Sequence, residues 1–283
     1  YAHEADNMNS LSNDNVWAIQ EDQQGFLWIG TENGLNRFDP ESGQFLHFFH
    51  SEKDERSLSH NFVYSLAHVG EMDLFVGTET GLNRMVYNDG DPYFIRFDLA
   101  PGGLNHDDYL RHNFIYELTP SKVYTNTLWV GTSIGLMKIT HSEQDLTQLE
   151  VKTYYHDSGN QQKLSHHFIS SIHEEPETKQ LWIGTYKGLN LLDLTTGKFQ
   201  RFVVDVQQAD GLSNNVVRAL WKDRNGLLWI GTNQGVEYVN LISNPFRRIP
   251  FSNGETSNNQ ILATLVKATD RSGIWAATDG GGL

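Results

Sequence analysis

A five-residue string returns six times along the chain: Leu27-Trp28-Ile29-Gly30-Thr31, Leu74-Phe75-Val76-Gly77-Thr78, Leu128-Trp129-Val130-Gly131-Thr132, Leu181-Trp182-Ile183-Gly184-Thr185, Leu228-Trp229-Ile230-Gly231-Thr232 and Ile274-Trp275-Ala276-Ala277-Thr278. Counted on the glycine position, successive copies lie 47, 54, 53, 47 and 46 residues apart. A period of this length means one supersecondary unit stacked on copies of itself. What the copies share belongs to folding, so function is to be sought where they differ.

One unit reads as four short strands. Leu11–Asn15 is a polar lead-in and Val16–Gln20 a strand; Glu21–Gly25 turns into a second strand, Phe26–Thr31. Glu32-Asn33-Gly34 is a tight hairpin, since Asn-Gly is the strongest short hairpin signal. Leu35–Asp39 and Gln44–Phe49 follow, joined by Pro40–Gly43. Four antiparallel strands in a meander make the blade of a β-propeller, and the fold class is all-β. The uninterrupted Leu-Trp-Ile runs imply strands buried on both faces. That makes Trp28, Trp129, Trp182, Trp229 and Trp275 blade packing and not ligand platforms. The units fall at about 11–57, 58–109, 110–163, 164–211 and 212–260, with 261–283 a partial unit and 1–10 the end of a preceding one. The chain thus reads as a single propeller domain over 1–283, a fragment of a longer seven-bladed or double propeller. The extra length of units two and three is expected in turns, at Asn105-His106-Asp107-Asp108 and from Ser121 to Thr127.

Composition narrows the function. The net charge of -14, with no basic run longer than Arg247-Arg248, excludes nucleic acid and anionic lipid as partners. The absence of cysteine excludes disulfides, thiol catalysis and Cys-ligated zinc, and is compatible with the periplasm. No stretch approaches the ~20 apolar residues of a membrane helix, and Tyr1-Ala2-His3-Glu4 carries no signal-peptide features.

The string Leu-Trp-Ile-Gly-Thr-x-x-Gly-Leu-Asn, with Leu-Ser-x-Asn upstream, resembles the two-component regulator propeller repeat. Leu27–Asn36 and Leu181–Asn190 match it throughout; Leu74–Asn83 carries Phe and Val, unit three has Met137, and unit five has Val236-Glu237 in place of Leu-Asn. The resemblance implies the periplasmic sensor region of a membrane-anchored bacterial signalling protein. A hybrid histidine kinase or diguanylate cyclase output would lie in segments outside this chain, which also supply the membrane tether. It further implies that the ligand is often a glycan fragment.

Comparing the units separates scaffold from candidate site. Six residues after each lead-in Leu or Ile stand Trp17, Tyr64, Tyr116, Ser170, Arg218 and Lys267, while the residue before is always aliphatic: Val16, Val63, Ile115, Ile169, Val217 and Val266. The varied column suits a ligand mouth, with aromatics to stack on sugar faces and Arg218 and Lys267 to take an acidic group; the alternative is that these side chains fill space between blades. His60, His112 and His166 share a second column with Asn13 and Asn214. Imidazoles there could contact a polar ligand, but exchange with Asn points to side chains supporting a turn, and no metal site is expected. The hairpin tips Glu32-Asn33, Glu79-Thr80, Ser133-Ile134, Tyr186-Lys187 and Asn233-Gln234 would rim the same mouth. Asn88-Asp89-Gly90-Asp91 lacks the spaced ligands of a calcium loop and reads as a plain turn.

No nucleophile elbow, zincin motif or phosphate loop occurs. The leading expectation is a non-enzymatic sensor without cofactor, binding a small-molecule or oligosaccharide ligand. The alternatives are a propeller lyase acting on glycans or lactones through His60, His112 or His166, and a scaffold for homodimerisation or protein contact.

Overall fold

The structure, a computed structural model, describes residues 1–70, 73–88, 90–204 and 212–241, and the strand backbone of 246–249, 262–267 and 274–278. The turn Asp270–Gly273, Asp89, Ile261, the side chains of Lys267 and Trp275, and the terminal Gly280–Leu283 segment lie outside the described residues. Five four-stranded sheets, each an antiparallel meander in chain order, and one two-stranded sheet follow the repeat. In blade one the strands are Val16–Glu21, Leu27–Thr31, Gly34–Asp39 and Gln44–Phe48. The fold is a β-propeller of four-stranded blades. It divides into two compact units, Tyr1–Thr153 and Tyr154–Leu283, the division falling in the last strand of blade three, Leu149–Tyr155. Among the described residues no helix is long and apolar enough to cross a membrane.

Within each unit, consecutive blades share a core. Trp28 and Leu35 of blade one pack with Val63, Leu74 and Val76 of blade two, and Phe75 and Leu82 pack with Ile115, Leu128 and Val130 of blade three. In the second unit Trp182 and Leu189 meet Val217, Leu228 and Ile230. In blades two, three and four the second strands are buried from the motif leucine to its threonine, as the uninterrupted runs predict. The first strand of blade one differs: Val16, Trp17 and Ile19 are 40%, 46% and 65% exposed.

The motif residues each have a mechanical task. A Cβ on Gly30 would lie 2.6 Å from Val63, one on Gly77 2.6 Å from Ile115, and one on Gly184 2.8 Å from Val217. Each of these glycines lets the second strand of one blade lie against the first aliphatic residue of the next. The hairpin glycines answer a different need, since Gly34 adopts φ 106° and Gly188 φ 118°.

Serine, threonine and asparagine of the repeat form a buried clasp. In blade two the Ser59 amide donates to Asn83 Oδ1 (2.8 Å), Asn83 Nδ2 donates to Val76 O (3.1 Å), Ser59 Oγ meets Thr78 Oγ1 (2.7 Å), and Thr78 Oγ1 donates to Gly81 O (2.9 Å). Ser12, Thr31 and Asn36 repeat this in blade one, as do Ser165, Thr185 and Asn190 in blade four. In blade five Glu237 stands in for the asparagine and accepts from the Ser213 amide (2.6 Å).

The indoles are less uniform than the repeat suggests. Trp28, Trp129 and Trp182 are 1%, 0% and 3% exposed, whereas Trp229 is only half-buried, its ring 5.3 Å from Tyr238. Asp22 Oδ2 and Asp223 Oδ2 accept from the indole N–H of Trp28 (2.8 Å) and Trp229 (3.0 Å) across the first turn. Blade four has Pro176-Glu177-Thr178-Lys179 at that turn, and buried Trp182 Nε1 has no partner among the described residues.

One segment departs from the expected turns. His106–Asn113 is a helix of eight residues, capped by Asn105, whose side chain accepts from the Asp108 amide (2.9 Å). Asp107 and Asp108 in its first turn and Arg111 and His112 in its last suit the helix dipole. The Ser121–Thr127 excess is a turn, as expected, closed by Ser121 N donating to Thr127 O (2.8 Å).

Gly77→Ala is expected to cost about 1–3 kcal/mol, because the new methyl would overlap Ser65 Oγ as well as Ile115. The readout is a lower urea midpoint with an unchanged slope; an unmoved midpoint would mean that the blades are not in close approach there.

Candidate ligand-binding site

Each first strand carries the same irregularity. Val16 and Ala18 pair with Thr31 and Gly30, leaving Trp17 outside the ladder; Tyr64, Tyr116, Ser170 and Arg218 occupy the same bulge in the next four blades. A bulge re-aims one side chain without disturbing the strand around it. This is the physical cause of the two columns. In the blades described above, the aliphatic residue is fixed by the preceding blade's glycine, and the bulged residue beside it is free to vary.

The first unit brings three bulged residues together. The rings of Trp17 and Tyr64 lie 5.2 Å apart and those of Tyr64 and Tyr116 5.7 Å apart. Phe62 stacks on Tyr64 at 4.3 Å, and Phe114 lies 4.8 Å from it. Trp17 is 46% exposed and the other four rings are half-buried. Phe62 and Phe114 were not singled out from the sequence. Their signal is a third column, two residues before the bulge, in which Phe168 also stands.

The hairpin-tip residues Glu32 and Glu79 lie beside this cluster. Glu32 accepts from Trp17 Nε1 (3.4 Å) and Asn15 Nδ2 (2.8 Å), and Glu79 Oε2 lies 3.6 Å from His60 Nδ1. Burial, reinforced by Glu79, Tyr116 and Glu32, pushes the Tyr64 phenol up to about 12. Beside Phe114 opens a pocket of about 270 Å³, walled by His60, Glu79, Leu110, Arg111 and Ser133. A second pocket, about 340 Å³, lies at the other end of the first strands around Gln20, Asp22 and His68, and has no phenyl, phenol or indole ring in its lining.

In the second unit Arg218 is fixed by neutral partners: Nε donates to Asn233 Oδ1 (2.9 Å) and Nη1 to Tyr186 Oη (2.8 Å), both on hairpin tips. Lys267 does not belong to this column. The strand pairing sets Leu262 opposite Thr278 and Lys267 opposite Ile274, matching Val217 opposite Thr232 and Lys222 opposite Leu228. Lys267 is therefore the equivalent of Lys222 at the far end of the strand, and the bulge position is Ala263. Counting from Ile261 misplaces it because Ile261 stands one residue before the paired aliphatic Leu262, whereas the lead-in leucines of the other blades stand five residues before theirs.

The histidine column divides. His60 Nδ1 accepts from the Phe62 amide (3.0 Å) and His166 Nδ1 from the Phe168 amide (3.1 Å). Asn13 Oδ1 and Asn214 Oδ1 do the same for Asn15 and Val216, each at 2.8 Å. His112 is different: it lies buried in the helix, its Nδ1 2.7 Å from Asp108 O, because the helix replaces the turn that its neighbours support.

Burial, together with His167, Lys187 and His156, holds the His166 imidazole down at about 4. A folded-state value below the ordinary one near 6.5 means that protonation favours the unfolded chain. The contribution is intact above about pH 6.5 and is lost as pH falls towards 4. His166→Asn keeps the turn acceptor and removes the titration, so its thermal midpoint should fall less than wild type between pH 7 and pH 4.5. Parallel pH profiles would rule this assignment out.

The two-component regulator propeller family matches residues 10–33 and 211–234. No curated protein matches the chain. A solved structure named as the extracellular domain of a hybrid two component system from B. thetaiotaomicron is 25% identical over 95% of this chain, with a TM-score of 0.71. The match takes in 33% of that protein, so this chain spans about a third of its length. Saccharomyces cerevisiae Sqt1 (12% identity, 96% of this chain and 71% of that one, TM-score 0.63) shares the fold alone. So does the Cps50 β-propeller domain of Myceliophteria thermophila (12%, 93% and 80%, TM-score 0.60). Residues 10–33 and 211–234 are thus similar to the repeat of the two-component regulator propeller family.

Proposed function

We propose that this chain is the non-enzymatic, ligand-sensing propeller of a membrane-anchored bacterial two-component or related signalling protein, facing the periplasm, and that its ligand is a glycan held at the aromatic cluster of the first unit. The observation that carries this reading is the set of bulges: three successive blades each turn an aromatic ring out of the ladder, and the rings converge. Trp17, Tyr64 and Tyr116 offer flat apolar faces of the kind a pyranose covers with its C–H groups, while Glu32 and Glu79 offer acceptors for its hydroxyls. Such a site needs no proton transfer. His60 and His166 spend Nδ1 on turn amides, and His112 Nδ1 sits against a helix carbonyl, so the histidines serve the scaffold. The repeat family and the extracellular bacterial relative support a sensing role.

Signalling follows if the ligand prefers one arrangement of the full-length protein over another. An output domain and a membrane anchor belong to this reading.

Thermal unfolding of the chain against a panel of neutral, basic and acidic oligosaccharides tests the reading. A binding glycan at ~100 times its Kd stabilises the fold by about 2.7 kcal/mol and raises the midpoint. Trp17→Ala and Tyr64→Ala should fold and lose that shift. A glycan that stabilises both variants as well as wild type removes the cluster from consideration.

A further inference from the structure

We infer that the aromatic cluster, with the pocket beside Phe114, receives an alkylammonium group, so that the glycan proposed above is one bearing a free amine. The inference rests on the glycan reading for the sugar and on separate observations for the charge.

Two carboxylates reach the cluster without a cationic partner. Among the described residues of the first unit the ion pairs are Arg84 with Asp73, Arg111 with Asp108 and the contact of His60 with Glu79. That last contact joins no opposite charges. His60 Nδ1 accepts the Phe62 N–H at 3.0 Å, so this nitrogen carries no proton and donates nothing to Glu79, 3.6 Å away. Glu79 accepts no hydrogen bond from any described side chain, and Glu32 is met only by the neutral donors of Asn15 and Trp17. Arg111 stands in the pocket wall, but its guanidinium lies 3.8 Å from Asp108, which offsets its charge. The site therefore holds two uncompensated negative charges beside five ring systems.

An ammonium group is the ligand that uses both features. It is drawn to the faces of Trp17, Tyr64 and Tyr116 by their quadrupoles and to Glu79 and Glu32 by charge. A uronate would meet repulsion from the same carboxylates. A neutral sugar would stack yet leave the charges unused. At about 270 Å³ the pocket has room for one amino-sugar ring against Phe114, its amine towards Glu79.

The test is calorimetric titration near pH 6 with four probes: the trimer of glucosamine, its N-acetylated counterpart, trigalacturonic acid, and choline, an alkylammonium without a sugar. Wild type should bind the glucosamine trimer at least about tenfold more tightly than the acetylated trimer, with the advantage shrinking as salt rises, and should bind choline weakly. Glu79→Gln should erase the preference and leave the unfolding midpoint unchanged; Glu32→Gln should reduce it; Trp17→Ala should weaken every probe.

Equal affinity for the two glucosamine-derived trimers, tighter binding of trigalacturonic acid, or a preference that survives Glu79→Gln would overturn the ammonium inference while leaving a glycan site in place. Trp17-dependent binding of choline with no trimer bound would keep the ammonium site, overturn the amino-glycan as its ligand, and leave the oligosaccharide panel to judge the glycan reading. Failure of all four probes to bind would overturn the inference, and the oligosaccharide panel would then judge the glycan reading by itself.

Discussion

The approach of one blade to the next is set by a single kind of contact: a second-strand glycine against the first aliphatic residue of the following blade. Gly30 faces Val63, Gly77 faces Ile115 and Gly184 faces Val217, each so closely that a methyl would overlap its neighbour. Interiors this dense do not yield continuously, so the contact fixes spacing and register together. The aliphatic residue is also the last paired position before the bulge. The same contact that packs two blades therefore locates the next side chain in space, and in the first unit that side chain is an aromatic ring.

A polar lattice makes this arrangement tolerant of change. Asn36, Asn83 and Asn190 are fully buried, and each draws its blade's lead-in onto the third strand. Removing one member would leave buried partners unmet, at about 1–3 kcal/mol for each group. Blade five shows the tolerance: Glu237 replaces the asparagine and the serine amide is still satisfied. Because each clasp closes within its own blade, bulges and hairpin tips can change without consequence for the fold.

The repeat made the four-stranded blades legible, down to hairpins within one residue of their observed limits, because turn chemistry and uninterrupted apolar runs are local signals. The varied column at Trp17, Tyr64, Tyr116 and Arg218 was legible too, though not its cause; a bulge is a property of pairing that no single strand displays. Phe62 and Phe114 escaped notice because aromatic residues beside a core ordinarily belong to it. His112 was misread because the helix Asn105 initiates is an insertion, outside the repeat that made its position comparable with His60. Lys267 was misread because the count of six starts from Ile261, which stands one residue before the paired aliphatic Leu262, where the other blades place their lead-in leucine five residues before it.

The two units carry different chemistry on the same positions. In the first, the bulges are aromatic and the tips of blades one and two acidic. In the second, the described bulges are Ser170 and Arg218, and the tips bring Tyr186, Lys187 and Asn233. Ser170 donates to Val217 O (2.6 Å) and so spends its side chain on the scaffold, whereas Arg218 is held by neutral groups that leave its charge unopposed. A bulge residue is thus free to be structural in one blade and displayed in the next, and the tip opposite decides what a displayed residue meets. Ring faces come from the bulges and charge from the tips. Since the bulged rings of Trp17, Tyr64 and Tyr116 take no part in the glycine contacts or the clasps, recognition in the first unit can be rewritten blade by blade on an unaltered frame.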